Sequence, residues 1–360
     1  MVESVLGRTL TGTVVLSGVL IAASIAGLAE FNSAVVTIFL IDVVAAVGLA
    51  VFMGNSGVLS FGHPGFMAVA AYVSGLASMK PVLRQAVLPT FPGSLSAHSL
   101  PFWAGICVAL GGVALFALAT GVAVVRLPRD AGAIATLGVL VIVNVVLLNA
   151  RTITNGGQPL YGVALKVGWH GALVVAIVSV AIARLFRESS AGLELRASRE
   201  DELAAEALGI NVRFRRLEAW VLSAILSGAA GVLLGHFLGA FSPNQFYLTL
   251  TITIVAMVIV GGETTVSGVV VGAILVTTVL QVLGNIEDGA HLGPVHLPAL
   301  LGLPTFGLSA VLVLTVYLRR EGLFGRRELE SAAARLVGRW SSNRPKQRPQ
   351  DGVTGRIGAG

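Results

Sequence analysis

The chain has 360 residues, of which 55% are apolar and 12% charged, with a formal charge of +6 and a mean hydropathy of +0.87. Soluble domains carry roughly 25% charged residues, so this composition excludes an ordinary water-soluble enzyme and points to the bilayer as solvent. Runs near 20 apolar residues favour helices over barrel strands, which are shorter and alternate, and the single cysteine, Cys107, excludes an intramolecular disulfide.

Ten apolar segments follow in chain order, at 9–29, 33–53, 61–79, 102–125, 131–149, 169–185, 219–241, 248–262, 266–284 and 299–318. They predict an all-α polytopic membrane protein of about ten transmembrane or re-entrant helices. The first segment is read as a span, because it has span length and lacks a clear A-x-A cleavage site. The second carries Asp42, the one acid well inside an apolar run. A charge at mid-span costs about 2.5–3.5 kcal/mol, so Asp42 should face protein or water. With no basic residue inside another span to pair with, a neutralised or polar-bonded structural acid is preferred to a proton-coupling one. Asn144 and Asn149 are candidates for interhelical hydrogen bonds.

The third segment opens with Gly62, His63, Pro64 and Gly65, and the eighth is short and ends in Gly261 and Gly262. Both are weak as full spans and read as broken or re-entrant helices, the kind of element that marks a transporter's pathway. His63 has no second His, Cys or carboxylate at ligand spacing, so it reads as a hydrogen-bonded structural histidine and no metal site is predicted. Lys80 to Pro101, with four prolines, is the longest external connection.

Between the sixth and seventh segments the apolar runs stop. Ser198 to Gly209, SREDELAAEALG, reads as one amphipathic helix, with Ser198 as its N-cap, acids in its first turn and Gly209 at its C-cap. Leu203, Ala204, Ala207 and Leu208 form an apolar stripe beside Glu202 and Glu206, which suits insertion into a soluble partner better than lying on anionic lipid. Six crossings before this helix and four after it place it on the same side as both termini. Twenty of the 24 Lys and Arg residues then fall on that side, so the positive-inside rule makes it cytoplasmic.

On the seventh segment Ser223, Ser227, Gly231, Gly235 and Gly239 recur every fourth residue, and Gly268 and Gly272 repeat the spacing later. Small residues let helix backbones approach closely, and tight packing within the subunit is the simpler reading, ahead of a subunit interface. After Leu318 the chain turns basic. That tail reads as a cytoplasmic end attracted to membrane lipid and not as a nucleic-acid binder, and its Arg-, Pro-, Gln- and Gly-rich part from about 341 is expected to be disordered. The transmembrane domain is therefore 1–318, with the amphipathic helix in a loop at 186–218, followed by a tail at 319–360. None of the three lysines lies in a G-x-x-x-x-G-K-[ST] motif and G-x-S-x-G is absent. No catalytic residue and no cofactor is predicted, and any ATP energy has to come from another chain.

Three motifs carry a resemblance. Gly54-Asn-Ser-Gly-Val-Leu-Ser-Phe-Gly-His-Pro-Gly-Phe66 resembles the early glycine-rich signature of permease subunits of branched-chain amino-acid ABC transporters. Arg196 to Ile210 resembles their E-A-A-x-x-x-G coupling segment, and Val260 to Gly268 their later Gly-Gly turn. Over about residues 35–318 the resemblance implies an ATP-driven importer subunit that is not itself an enzyme. It seats Arg196, Arg199, Glu202, Ala204, Ala205, Glu206 and Gly209 at an ATPase subunit. It places Asn55, Ser60, Gly62, His63, Gly261, Gly262 and Glu263 along the translocation path or gate. It also implies two ATP-binding cassette subunits, a related or identical permease and an extracytoplasmic solute-binding protein, at a bacterial plasma membrane. Pro64, Gly65, Glu263 and Thr264 depart from the family pattern, as does the long tail. Branched-chain amino acids are the expected solute, with urea, short-chain amides or sugars as alternatives. A secondary transporter driven through Asp42, or a scaffold that transports nothing, are the rival readings from other classes.

Overall fold

A computed structural model describes residues 2–89, 91, 99–287, 291–292, 295–296, 301–319, 322–323 and 325. The expected disordered stretch from 341 and residues 90 and 92–98 of the proline-rich external loop lie outside the described residues. The helices are α1 (Val2–Glu30), α2 (Ser33–Ser56), α3 (His63–Ser78), α4 (Pro81–Val87), α5 (Phe102–Val124), α6 (Arg129–Asn149), α7 (Arg151–Thr154) and α8 (Trp169–Glu188). They continue with α9 (Ser190–Glu200), α10 (Glu202–Ala207), α11 (Val212–Leu238), α12 (Leu248–Gly261), α13 (Val266–Glu287) and α14 (Leu303–Leu318). Among the described residues eight helical stretches are long and apolar enough to cross a membrane. The protein is a multi-pass, all-α membrane protein.

Local chemistry sets the helix ends. Asn32 caps α2 by accepting from the amides of Ala34 and Val35, and Gly57, at φ 69°, closes it with its amide on the Met53 carbonyl. Asn211 caps α11, and Gly239, at φ 70°, ends it. These are positions where an acceptor side chain or a left-handed backbone is needed.

The third segment is broken, as its sequence suggests. At 16 residues α3 is about 24 Å long, short of the roughly 30 Å hydrocarbon core. Residues 57–62 ahead of it are not helical, and α3 begins inside the bundle, with His63 buried. The eighth segment is different: a 3₁₀ turn over Pro243–Phe246 runs into α12 and makes one apolar stretch through Gly261. The helix of the seventh segment, α11, starts earlier than its apolar run, at Val212, so that Arg213, Arg215 and Arg216 are helical extensions of the span.

α2 lies at the centre, buried along most of its length and packed on α11, α8, α13 and α12. The small-residue stripe of α11 explains how closely. A Cβ on Gly48 of α2 would meet the Ser227 side chain and backbone, and one on Gly231 would overlap the Met67 backbone of α3. The stripe therefore serves packing inside this chain, against α2 first and α3 further along. α12 and α13 cross in the same way, with Gly261, Gly268 and Gly272 in backbone contact.

The bundle has two distinct ends. At one, Leu160 and Tyr161 pair with Phe241 and Ala240 in a two-residue antiparallel ribbon, and the Leu100 amide reaches the Ala77 carbonyl at 2.8 Å. At the other meet the end of α2, the start of α6, the α9–α10 segment, the α12–α13 turn and the chain after α14. The chain after α14 returns to this end, where the Leu323 amide donates to the Val260 carbonyl at 3.0 Å.

Candidate functional site: the α9–α10 segment and the glycine breaks

The expected single helix from Ser198 is two helices. Ser198 is not a cap: it lies inside α9, buried, with its hydroxyl donating to the Leu195 carbonyl at 2.7 Å. The chain breaks three residues later, where Asp201 accepts from the Ala204 amide at 3.0 Å and caps α10. A buried serine has no access to the exposed amides of the next turn, so the exposed carboxylate takes the role. Gly209 does end the helix. At φ 83° its amide bonds the Glu206 carbonyl, and Ile210 bonds Ala205, which together form a Schellman motif.

The seven expected coupling residues separate by direction. Leu203 and Leu208 are 79% and 82% exposed, with Ala204, Glu206 and Gly209 on the same open surface. Ala205 is turned inward. Glu202 spends its carboxylate on Arg216 of α11, at 2.7 Å, and Arg215 holds Glu194 of α9 at 2.6 Å. The segment is thus bolted to the start of α11. Arg196 is half-buried beside a cavity of about 140 Å³ that it lines with Gly54, Arg187, Arg199, Glu200 and Thr264.

Arg199 points into the protein. One guanidinium nitrogen donates to the Gly54 carbonyl at 2.7 Å and the other to Glu263 at 2.5 Å. Its own carbonyl and that of Ser198 accept from Arg129, a cation placed on the last carbonyls of α9. Gly54 and Glu263 also touch directly, since a Cβ on Gly54 would overlap the Glu263 carbonyl. The three motifs, far apart in sequence, therefore meet at one residue. Beside them Arg187 donates to the Thr264 carbonyl, the Thr264 hydroxyl donates to Gly325 at 2.9 Å, and the Leu323 amide reaches Val260 at 3.0 Å.

The expected path residues fall into two groups. Gly261, Gly262 and Glu263 form the turn just described, with Gly262 at φ 105°. Asn55 is buried in the last turn of α2, its amide on the Val51 carbonyl at 2.8 Å. Ser60, Gly62 and His63 lie deeper, roughly 16 Å along α11 from Val212. There the His63 ring meets Ser60 through Nδ1 at 2.9 Å and Ser223 through Nε2, and Ser223 donates to the Gly48 carbonyl at 2.6 Å. Because the Ser223 proton is committed to Gly48, Nε2–H donates to Ser223 and the Ser60 hydroxyl donates to Nδ1. Phe52, Phe66 and Trp220 enclose the ring, and Gly62 packs on the Thr136 carbonyl of α6. Both nitrogens are occupied, so the histidine locks α3 to α2 and α11. Among the described residues no cluster of His, Cys, Asp or Glu suits a metal ion.

Arg129, Arg187, Arg215 and Arg216 carry much of this end, yet the sequence marks them only as charges that set orientation. Their spacing from the helix ends they serve is tertiary, and only the clustering of arginines around 184–216 hints at it.

The family described as "Branched-chain amino acid transport system / permease component" matches residues 31–288. The high-affinity branched-chain amino acid transport system permease protein LivM of Escherichia coli (strain K12) is 27% identical over 293 residues, covering 71% of this chain and 64% of that protein. LivM of Salmonella typhimurium is 26% identical over 290 residues, with the same coverage. A protein described as a probable branched-chain amino acid transport permease, LivH of Methanocaldococcus jannaschii, is 36% identical over 103 residues, 29% of this chain and 32% of its own. The chain thus spans 64% of the length of the LivM relatives it matches. No solved structure matches it. The family match runs from α2 through α13 and takes in both glycine breaks and the segment that joins them, so the chain belongs to the permease components of branched-chain amino acid transport systems.

Proposed function

We propose that this chain is the membrane-spanning permease subunit of an ATP-driven importer and forms half of the path for a small solute. Branched-chain amino acids are the first candidates, in keeping with the names of its relatives, and urea, short-chain amides or sugars are the alternatives. ATP hydrolysis belongs to two separate ATP-binding cassette subunits, and a related or identical permease and an extracytoplasmic solute-binding protein complete the assembly. The concentration of Lys and Arg at the α9–α10 end supports a cytoplasmic location for that end and for both termini in a bacterial plasma membrane.

The observation that carries this reading is α10. A helix of six residues, capped by Asp201 and closed by Gly209, holds Leu203 and the following Leu208 almost fully in the open beside Glu206, at an arginine-rich end of the bundle. Exposed leucines on a helix braced by Arg216 and Arg215 suit a groove on a soluble partner. Asn55, Ser60, Gly62, His63, Gly261, Gly262 and Glu263 then shape the path or its gate, while the spans rock between two states, driven by the partner's differential affinity for them.

The test is co-purification. Glu206→Arg with Gly209→Arg should abolish recovery of the ATPase subunits while the permease stays inserted. Leu203→Glu, at an exposed site with no packing to lose, should do the same without risk to α10. Full recovery of ATPase subunits with both variants overturns the reading.

A further inference from the structure

Arg199 is placed to do something other than touch a partner. Its side chain is 23% exposed, and Glu263 is 32% exposed, so the pair sits at the edge of the bundle and not on the open face that carries Leu203 and Leu208. From the geometry we infer that Arg199 is the positioning residue that transmits movement of the α9–α10 segment to the spans, through a fork on the Gly54 carbonyl and Glu263. This rests on the importer reading above and names how its docking segment is linked to the path.

Four observations converge. First, the two acceptors belong to different moving parts: Gly54 is in the last turn of the central α2, and Glu263 is in the turn between α12 and α13. A planar guanidinium that holds both at once fixes their distance and their direction, which a lysine ammonium cannot do. Second, a glycine with positive φ lies close to each acceptor: Gly262, at 105°, directly precedes Glu263, and Gly57, at 69°, caps α2 three residues after Gly54. Gly57 packs on the Arg199 side chain itself. A change of backbone angle concentrates at such residues, so each part can rotate about its own joint while the fork holds. Third, α9 cannot slip past the fork, because Arg129 grips the carbonyls of Ser198 and Arg199 from the start of α6. Fourth, the cavity of about 140 Å³ lined by Arg199, Arg196, Arg187, Glu200, Gly54 and Thr264 leaves room on one side of the joint for it to move. Rigid contacts on one side and space on the other define a lever with a direction.

The ion pair is a poor candidate for a stability device. It is partly solvated, and such pairs contribute little by themselves. Its value lies in connecting three segments that no covalent path shorter than about sixty residues joins.

The experiment uses the complete importer in proteoliposomes, with the partner permease, ATPase subunits and solute-loaded binding protein, and leucine as the probe solute. Arg199→Gln and Glu263→Gln should each keep the ATPase subunits in the purified complex. Each should also lower solute imported per ATP hydrolysed by about fivefold, the effect of losing a partly solvated ion pair from an equilibrium. The double variant should be no worse than Arg199→Gln alone, since that substitution already removes the bond to Glu263. Arg199→Lys, which keeps charge and loses the fork, should fall between, and it carries the test if Arg199→Gln does not accumulate.

Loss of ATPase subunits from the Arg199→Gln complex would make Arg199 a docking contact and overturn the inference. So would additive losses in the double variant, or an unchanged import-to-hydrolysis ratio. Failure of the importer reading shows separately, as ATPase subunits that stay bound to Leu203→Glu. If leucine is not the solute, the ratio of binding-protein-stimulated to unstimulated hydrolysis replaces uptake as the readout, and a ratio equal to wild type in Arg199→Gln overturns the inference.

Discussion

Alanine at Gly231 adds one methyl to the point where α11 crosses α3. The new Cβ would overlap the Met67 carbonyl oxygen, Cα and carbonyl carbon. All three are backbone atoms, so no rotamer change can absorb the clash and the helices have to part. Overpacking of this kind costs about 1–3 kcal/mol, and a backbone clash belongs at the upper end. Alanine's better helix propensity returns about 1 kcal/mol, which leaves a net loss of about 2 kcal/mol. For a chain of this size that corresponds to roughly 3 °C in the unfolding midpoint. The control is Gly112→Ala on α5, an exposed glycine with nothing within 4 Å of its Cβ position, where the same propensity gain is unopposed. Both variants are compared with wild type by thermal unfolding of the detergent-solubilised protein. If Gly231→Ala melts with Gly112→Ala, the close approach of α11 and α3 does not exist and the packing argument for the whole stripe fails.

Further outcomes follow from the same contacts. Asp201→Ala should loosen α10 by about 0.5–2 kcal/mol and speed amide exchange over residues 202–207, whereas Ser198→Ala should leave those amides unchanged; the opposite pattern would restore Ser198 as the cap. Ser223→Ala removes the hydroxyl between His63 and the Gly48 carbonyl and should destabilise by about 1–3 kcal/mol through unsatisfied buried groups, with a midpoint equal to wild type counting against the network. Asp42 accepts from the Thr277 hydroxyl at 3.4 Å, and asparagine keeps that acceptor. Asp42→Asn should therefore leave ATP-dependent uptake near wild type, and collapse of uptake would favour a proton-coupled transporter.

Much of the architecture is legible in one dimension because the bilayer imposes a strong code. A span has to satisfy its backbone internally and offer lipid an apolar surface, so 33–53 and 266–284 announce themselves as α2 and α13. The break before α3 is likewise written in Gly57, Gly62 and Pro64, residues that change the backbone whatever surrounds them. The α9–α10 break is not legible in the same way. Ser198 and Asp201 both have the chemistry of a cap, and burial alone decides between them.

The sequence by itself determined that this chain crosses a membrane many times, that positive charge gathers at one end, and that a short capped helix interrupts the spans there. Those properties depend on composition, local propensity and the lipid solvent, all of which act residue by residue. Only the tertiary structure decided that Arg199 faces inward while Leu203 faces out, that His63 is closed by Ser223, and that the stripe on α11 belongs to α2 and α3. Each of these turns on which backbone approaches which side chain across an interval of many residues, and that information exists only once the helices have packed.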